Sequence, residues 1–214
     1  MNLPKFCSTP TLSEAELVNL LHRPQVELVI NFALGPKGTN IVQACKSWSR
    51  KNGIKDKTVV TLCNTPESSL VQARLVKEEG VLPLFWTCAV YYALNQLFFS
   101  NPDVFPFLFS HNMPLDNMQL CVRTELAEQE WNNAWRVASH PSPTPLVANL
   151  PNPVVKTTSN SQAAIMCRTG EVEACITTAQ AAQIHELVTV HEFGSPAMIF
   201  FAGTTQHGMK TLLG

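Results

Sequence analysis

Apolar positions along the chain follow two periods, one typical of buried strands and one typical of amphipathic helices. Residues 26–33 form an apolar, β-branched-rich run, as a buried parallel strand does. Apolar residues then recur at helical spacing over 41–48, and residues 58–63 predict a second strand. Thr65 begins another helix, and residues 81–85 predict a third strand. This β-α-β-α-β order predicts a doubly wound parallel sheet.

A second alternating set of segments follows the middle of the chain. Residues 101–114 carry three prolines and few charges and predict a packed loop. A helix is expected to begin near Ser159. Further strands are predicted over residues 118–123, 135–139, 154–157, 173–177, 187–191 and 198–202. Together the two sets predict an α/β fold of two lobes with doubly wound sheets, a ligand cleft between them, and a return of the last strands to the first lobe.

Composition and charge fit a compact globular protein. Of 214 residues, 45% are hydrophobic and 14% charged, and the net charge of −1 offers no footprint for nucleic acid or an anionic membrane. Residues 81–99 lack charge and approach the length of a membrane-spanning helix. Pro83, Asn95 and Gln96 interrupt that segment, so we interpret it as a strand, a turn and a buried helix. We therefore expect neither a nucleic-acid nor a membrane partner.

The cysteines and histidines exclude several classes of site. Seven cysteines are scattered without a C-x-x-C pair, and the first residues lack the apolar core of a signal peptide. Reduced thiols in a cytoplasmic protein are the expectation. The six histidines show no metal-ligand spacing, so no metal is expected. No cofactor is expected either.

Two turns carry candidate ligand chemistry. Residues 34–39 (Leu-Gly-Pro-Lys-Gly-Thr) follow a predicted strand and precede a helix, and residues 139–143 (Ser-His-Pro-Ser-Pro) follow another strand. Free backbone N–H groups and the helix dipole favour anions at such points. Each feature also has a structural interpretation: a glycine turn, a structural His140, an ordinary N-cap at Ser159. Arg123, at the end of an apolar strand, is either a surface cation or a bidentate carboxylate clamp.

Taken in order, these segments resemble the catalytic domain of prephenate dehydratases, and more closely the prephenate decarboxylases of bacilysin- and aeruginosin-type pathways. The resemblance runs from about residue 29 to residue 202 and implies a type II periplasmic-binding-protein-like fold. It rests on residues 34–39, 80–83, 122–123, 139–143, 159–164 and 174–177.

Three departures from the dehydratase pattern are informative. The late Thr-Arg-Phe motif, which assists departure of the ring hydroxyl, is replaced by residues 195–200 (Ser-Pro-Ala-Met-Ile-Phe). Pro-Ile-Glu-Asn-Ser becomes residues 83–87 (Pro-Leu-Phe-Trp-Thr), and the expected glutamine is Leu146. We expect one catalytic domain over 1–214, with lobe 1 at about 1–85 plus 190–214, lobe 2 at about 86–189, and no C-terminal regulatory domain.

The resemblance and its departures imply decarboxylation of prephenate without aromatisation, giving a dihydro-4-hydroxyphenylpyruvate for a specialised amino-acid pathway of the non-ribosomal-peptide type. A true prephenate dehydratase and a non-catalytic module that binds a small dicarboxylate are the alternatives. Besides prephenate, the sequence leaves open a second copy of the chain as a partner, in a homodimer.

The resemblance also implies which residues form the site. The expected proton donor is His140, with a water held by Thr87 or the substrate's own hydroxyl as the alternatives. An apolar wall of Phe85, Trp86 and Met198, with Phe200, is expected to desolvate the ring carboxylate. The residues expected to bind the carboxylates are Gly38, Thr39, Arg123, Ser139, Ser159 and Asn160.

Overall fold

The computed structural model describes residues 5–8 and 10–214, which form two compact units. Unit 1 comprises the chain up to Met113 together with Met198–Gly214, and unit 2 is Pro114–Ala197. In chain order the elements are α1 (Glu14–Leu21), β1 (Leu28–Leu34), α2 (Asn40–Lys51), β2 (Thr58–Cys63), α3 (Pro66–Leu75), β3 (Val81–Cys88), α4 (Leu94–Phe99), β4 (Phe105–Pro114), β5 (Met118–Val122), β6 (Val137–Ser139), β7 (Val154–Lys156), α5 (Asn160–Arg168), β8 (Ala174–Thr178), α6 (Ala179–Ile184), β9 (Val188–Gly194), β10 (Ala197–Thr204) and α7 (Gln206–Leu213).

The sheet of unit 1 has the strand order β2-β1-β3-β10-β4. Strands β1, β2 and β3 are parallel, and β10 pairs antiparallel with β3. The parallel part and its crossover helices match the predicted β-α-β-α-β unit. The antiparallel β10 makes the sheet mixed, which a purely parallel doubly wound sheet would not be.

The sheet of unit 2 has the strand order β7-β6-β8-β5-β9. Strands β6, β7 and β8 are parallel, whereas β5 pairs antiparallel with both β8 and β9. One face of this sheet packs an apolar cluster that includes Leu120, Val137 and Ile176. The other face is covered in part by α5 through Ala163 and Cys167.

Capping side chains fix where the helices begin. Thr65 caps α3 in a reciprocal capping box with Ser68, and Pro66 occupies the first turn. Ser159 caps α5 by accepting a hydrogen bond from the Gln162 amide at 3.0 Å. These caps place the first turns of α3 and α5 directly after β2 and β7, as the sequence predicts.

Two predictions about the middle of the chain need correction. The packed loop predicted over 101–114 is wrong, because Phe105–Pro114 forms β4. This strand terminates its sheet, where proline is tolerated because the outer N–H groups need no ladder partner. The boundaries of the two units also lie further along the chain than the expected 85 and 189, because β4 belongs to the sheet of unit 1 and β9 to the sheet of unit 2.

Candidate functional site

The loop after β1 lies at the carboxyl edge of the parallel strands of unit 1. The Thr39 hydroxyl donates to the Leu34 carbonyl at 2.7 Å and caps α2 by accepting from the Val42 amide at 3.5 Å. Gly38 has a φ of 97°, a conformation that favours glycine. The single hydrogen of the Thr39 hydroxyl is thus already engaged in holding the turn, so that hydroxyl could meet a ligand only as an acceptor or after rearrangement.

Thr87, near the carboxyl end of β3, has a buried hydroxyl that makes no hydrogen bond. Its side chain is 1% exposed, and its hydroxyl has no hydrogen-bond partner. Its cross-strand partner on β10 is Phe201, and Phe85 shares its face of β3. A hydroxyl buried without a partner costs about 1–3 kcal/mol, so this position calls for an explanation.

The predicted apolar wall does not form as one surface. Successive side chains of a strand point to opposite faces, so Phe85 and Trp86 face away from each other. Phe85 packs in the cluster of Phe32 and Leu70, whereas the Trp86 indole donates to Asn31 Oδ1 at 2.6 Å. Both are core residues, 1% and 0% exposed.

Met198 and Phe200, the other two members of that wall, lie on β10. Phe200 pairs with Cys88, and Ala202 pairs with Trp86. Alternation along β10 therefore places Met198 and Phe200 on the face that carries Trp86. The structure groups three of the four predicted side chains on one face and separates Phe85 from them.

A network of hydroxyl groups marks the carboxyl edge of the parallel strands in unit 2. The Thr157 amide donates to the Ser139 carbonyl at 3.0 Å, which joins the ends of β6 and β7. The Thr157 hydroxyl donates to the Ser159 carbonyl at 3.0 Å. The Thr177 hydroxyl, from β8, donates to the Asn160 carbonyl at 2.8 Å. These bonds hold the first turn of α5 against the ends of three strands.

Asn160 is the first residue of α5 and carries the second orphaned polar atom. Among the buried side-chain oxygen and nitrogen atoms that the structure describes, only Thr87 Oγ1 and Asn160 Oδ1 lack a hydrogen-bond partner. The first amides of a helix also have no intrahelical acceptor, and the helix dipole favours an anion beside them. Ser159, Asn160 and these amides can therefore meet a carboxylate together.

Ser139 and His140 form a tight turn with Thr144. The hydroxyls of Ser139 and Thr144 both donate to the His140 carbonyl, at 3.0 and 2.9 Å. Ser139 is fully buried, and its hydroxyl stabilises this turn. Of the predicted binding residues in unit 2, the structure brings Ser139, Ser159 and Asn160 to one edge.

The His140 ring is held in one orientation by its own turn. Its Nδ1 lies 3.2 Å from the Ser142 amide, which donates to it, so the neutral ring carries its proton on Nε2. Burial lowers the pKa of His140 below its ordinary value. Both features favour the neutral imidazole, and a nearby carboxylate is the kind of group that would raise this pKa. The role of His140 as proton donor stays a prediction.

Arg123 lies at the opposite edge of the sheet from Ser139. It follows Val122, which pairs with Ala174 at the amino end of β8. Its guanidinium donates through Nη1 to the carbonyls of Cys167 and Val172, at 2.9 and 2.7 Å. Along α5, Cys167 follows Asn160 by seven residues, a rise of about 10 Å. The structure therefore does not bring Arg123 to the carboxylate-binding residues, and the guanidinium holds the end of α5.

Thr157 and Thr177 belong to this edge but are absent from the predicted set. Both are buried hydroxyl residues at the end of a strand, the same signal that drew attention to Ser139. Their role in positioning the first turn of α5 depends on which strands are neighbours, and residue order along the chain does not reveal that.

Neither metal-ligand clusters nor membrane-spanning helices occur among the residues that the structure describes. Over residues 5–8 and 10–214, no group of three or more His, Cys, Asp or Glu side chains is arranged to hold a metal ion. Within the same part of the chain, no helix has the length and hydrophobicity needed to cross a membrane. All seven cysteines are free thiols.

Comparison with known proteins shows similarity of structure only. No family model and no curated protein sequence matches the chain. A prephenate dehydratase from Staphylococcus aureus subsp. aureus Mu50 has a TM-score of 0.53 at 12% identity, over 82% of this chain and 66% of that one. The quorum-quenching acylase GqqA has a TM-score of 0.50 at 16% identity, over 83% of this chain and 64% of that one.

A third similar structure covers almost the whole chain. The periplasmic VFT2 domain of Bordetella pertussis BvgS has a TM-score of 0.52 at 14% identity, over 99% of this chain and 92% of that domain. The fold is the type II periplasmic-binding-protein-like α/β fold. This confirms the predicted fold class and the relation to the fold of prephenate dehydratases. The chain spans less than two thirds of the length of GqqA and of the S. aureus dehydratase.

Proposed function

We propose that this chain binds prephenate and decarboxylates it without making the ring aromatic, for a specialised amino-acid pathway. Support for this substrate comes from the ordered sequence segments that resemble prephenate-utilising enzymes and from the fold shared with the S. aureus prephenate dehydratase. The observation that carries the binding part of the proposal is the buried, unpartnered Oδ1 of Asn160 beside the first amides of α5.

A carboxylate would satisfy the first turn of α5. An asparagine amide can turn over to present its NH₂ group, so Asn160 can donate to an anion at this turn. Backbone amides and the positive end of the α5 dipole add to this attraction. Ser159 already uses its hydroxyl oxygen to cap α5 but can still donate its hydrogen. The pyruvyl carboxylate of prephenate suits this turn.

The product depends on whether a side chain helps the ring hydroxyl of prephenate to leave. In a dehydratase the ring hydroxyl departs with carbon dioxide, and an acidic or cationic group must help it leave. On β10, at the place of the dehydratase Thr-Arg-Phe, the chain has Met198, Ile199 and Phe200, none of which can do so. When the bond to the ring carboxylate breaks, its electron pair must then enter the diene and take a proton at a ring carbon. The product keeps its hydroxyl and is not aromatic.

The source of that proton is His140, a water held by the Thr87 hydroxyl, or the substrate's own hydroxyl. A general acid at His140 predicts that His140→Gln lowers turnover on the order of a hundredfold while folding stays intact. Turnover within a few-fold of wild type would remove His140 from the mechanism and leave the water at Thr87 or the substrate hydroxyl as the donor.

Incubation with prephenate tests the proposal. Carbon dioxide release should accompany loss of prephenate, and the product should lack phenylpyruvate absorbance until acid aromatises it. Phenylpyruvate formed directly at neutral pH would identify a dehydratase. Saturable binding without turnover would identify a binding module for a small dicarboxylate.

A further inference from the structure

One terminal strand of the unit 1 sheet lacks the features that keep a free edge from pairing with another chain. Such features are proline, lysine, a bulge and short length. Among the residues that the structure describes, the two sheets have four terminal strands. β4 contains Pro106 and Pro114, β7 spans three residues and ends at Lys156, and β9 is bulged against β5 at two points. By contrast, β2 has six residues in a regular ladder with β1 and contains neither charge nor proline.

The lysine beside β2 does not protect this edge. The Lys57 ammonium donates to the carbonyls of Leu21 and Val26, the second at 2.8 Å, so it reaches toward the residues before β1. Val59 and Leu62 point to opposite faces of the strand and are 46% and 49% exposed. The edge therefore leaves apolar side chains open to solvent on both faces of the sheet.

The backbone of β2 presents hydrogen-bonding groups at the free edge. The amide of Gly35, just after β1, donates to the Cys63 carbonyl at 2.8 Å, so the backbone of Cys63 faces β1. Backbone groups of alternate residues point to opposite sides of a strand, so those of Val60 and Leu62 point away from β1. Because β2 is terminal, no other strand of the described chain pairs with them.

We propose that two copies of this chain associate by antiparallel pairing of their β2 strands, with Val60 at the two-fold axis. Each Val60 amide then donates to the Val60 carbonyl of the second copy, and each Leu62 amide donates to the Thr58 carbonyl. The Thr58 amide already donates to the Lys55 carbonyl, so Thr58 contributes its carbonyl alone. A two-fold interface uses the same edge of both copies, so association ends at the dimer. This inference does not depend on the proposed reaction on prephenate.

The charges that flank β2 favour a second copy in this orientation. Two lysines and one aspartate precede the strand (residues 55–57), and the exposed Glu67 follows it in the first turn of α3. Antiparallel pairing brings the net positive end of one strand beside the negative end of the other, whereas parallel pairing would place like ends together. Residues 58–63 are uncharged, so identical strands meet without like-charge repulsion.

Substitution of Val60 tests the interface, because the pairing places this residue opposite itself. Val60→Lys and Val60→Glu should each raise the dissociation constant of the dimer at least about tenfold, since like charges would then face each other. An equimolar mixture of the two variants should associate again, because a lysine then faces a glutamate. Sedimentation velocity over a range of protein concentrations measures association, and cooperative urea unfolding shows that each variant is folded.

A matched control and a measurement on the wild type complete the test. Val190→Lys changes another exposed valine on a terminal strand, the bulged β9, and should leave association unchanged. Hydrogen exchange of the wild type needs no variant. The amides of Val60 and Leu62 should exchange more slowly at high protein concentration than at low concentration.

Three results would overturn the proposal. A wild-type chain that stays monomeric at the highest concentration would leave β2 to another kind of partner. A dimer that Val60→Lys does not weaken would place the interface elsewhere on the molecule. Mixed Val60→Lys and Val60→Glu chains that stay monomeric would exclude the pairing centred on Val60.

Discussion

Among single residues, two buried oxygens without a hydrogen-bond partner indicate where a ligand binds. Thr87 Oγ1 and Asn160 Oδ1 are the buried side-chain atoms, over the part of the chain that the structure describes, without a hydrogen-bond partner. Each lies near the carboxyl end of a parallel strand or at the helix start that follows one. Open α/β sheets bind ligands at that edge, so both atoms are explained if a ligand or its water completes them.

Replacement of Thr87 separates stability from function. Thr87→Val removes the unpartnered hydroxyl at nearly constant shape and should raise the free energy of unfolding by about 1 kcal/mol, while turnover of prephenate falls. Urea unfolding and a decarboxylation assay measure the two effects. Thr204→Val is the control, because the buried Thr204 hydroxyl donates to the Pro83 carbonyl at 2.6 Å and its loss should cost about 1–3 kcal/mol. A Thr87→Val protein that is destabilised and fully active would contradict this account.

His140 should make the native state weaker in acid. Burial lowers its pKa in the folded chain, so below an unfolded pKa of about 6.5 the unfolded chain binds more protons. The free energy of unfolding therefore falls as the pH drops through that value and levels off below the folded pKa. Urea midpoints between about pH 7 and pH 5 should fall less in His140→Gln than in wild type.

The buried His111 does not affect the difference in pH dependence between wild type and His140→Gln. Burial also lowers its pKa, but it is present in both proteins and its contribution cancels in the difference. Equal pH dependence in the two proteins would show that the ring is not held neutral.

At the scale of elements, the first turn of α5 concentrates the binding chemistry. Asn160→Asp should leave the free energy of unfolding unchanged or slightly higher, because a carboxylate at a helix start is favoured by about 0.3–1 kcal/mol. The same charge should repel a carboxylate ligand and weaken prephenate binding at least tenfold, measured by calorimetry. Gln206→Glu places the same charge at the first position of α7 and should leave binding unchanged. Undiminished affinity in Asn160→Asp would remove this turn from the site.

Substitution at the other end of α5 should change stability and leave the affinity for prephenate nearly unchanged. Arg123→Met removes two hydrogen bonds from a partly exposed guanidinium and should lower the free energy of unfolding by about 1–3 kcal/mol, with affinity within a few-fold of wild type. Arg168→Met, in the same last turn, breaks an exposed ion pair with Glu186 and should cost no more than about 1 kcal/mol. If Arg123→Met leaves stability unchanged but strongly reduces the affinity for prephenate, Arg123 binds a carboxylate of the substrate.

The elements also show what sequence patterns could and could not predict. Thr65 and Ser159 cap helices where predicted, because a cap depends on residues three positions apart. The prolines of residues 101–114 predict a loop, whereas Phe105, Phe107 and Phe109 alternate along β4, a terminal strand of its sheet, where proline is tolerated. The opposite facing of Phe85 and Trp86 follows from strand period alone, whereas the position of Arg123 depends on the pairing of β5 with β8.

At the scale of the whole molecule, the fold class and the chemistry have different support. The type II periplasmic-binding-protein-like fold agrees with the order of elements and with solved structures at 12–16% identity. Similar structures include both the S. aureus prephenate dehydratase and the periplasmic VFT2 domain of BvgS, and one fold can host unrelated functions, so the fold does not decide the reaction. The reaction must be decided by what the chain does to prephenate.

Turnover of prephenate in deuterium oxide tests the central claim most directly. Decarboxylation without aromatisation requires one solvent-derived hydrogen at a ring carbon for each carbon dioxide released. The expected product is hydroxylated and non-aromatic, and its ring carries one deuterium, seen by mass spectrometry and NMR. Phenylpyruvate with loss of the hydroxyl and no ring deuterium would contradict it.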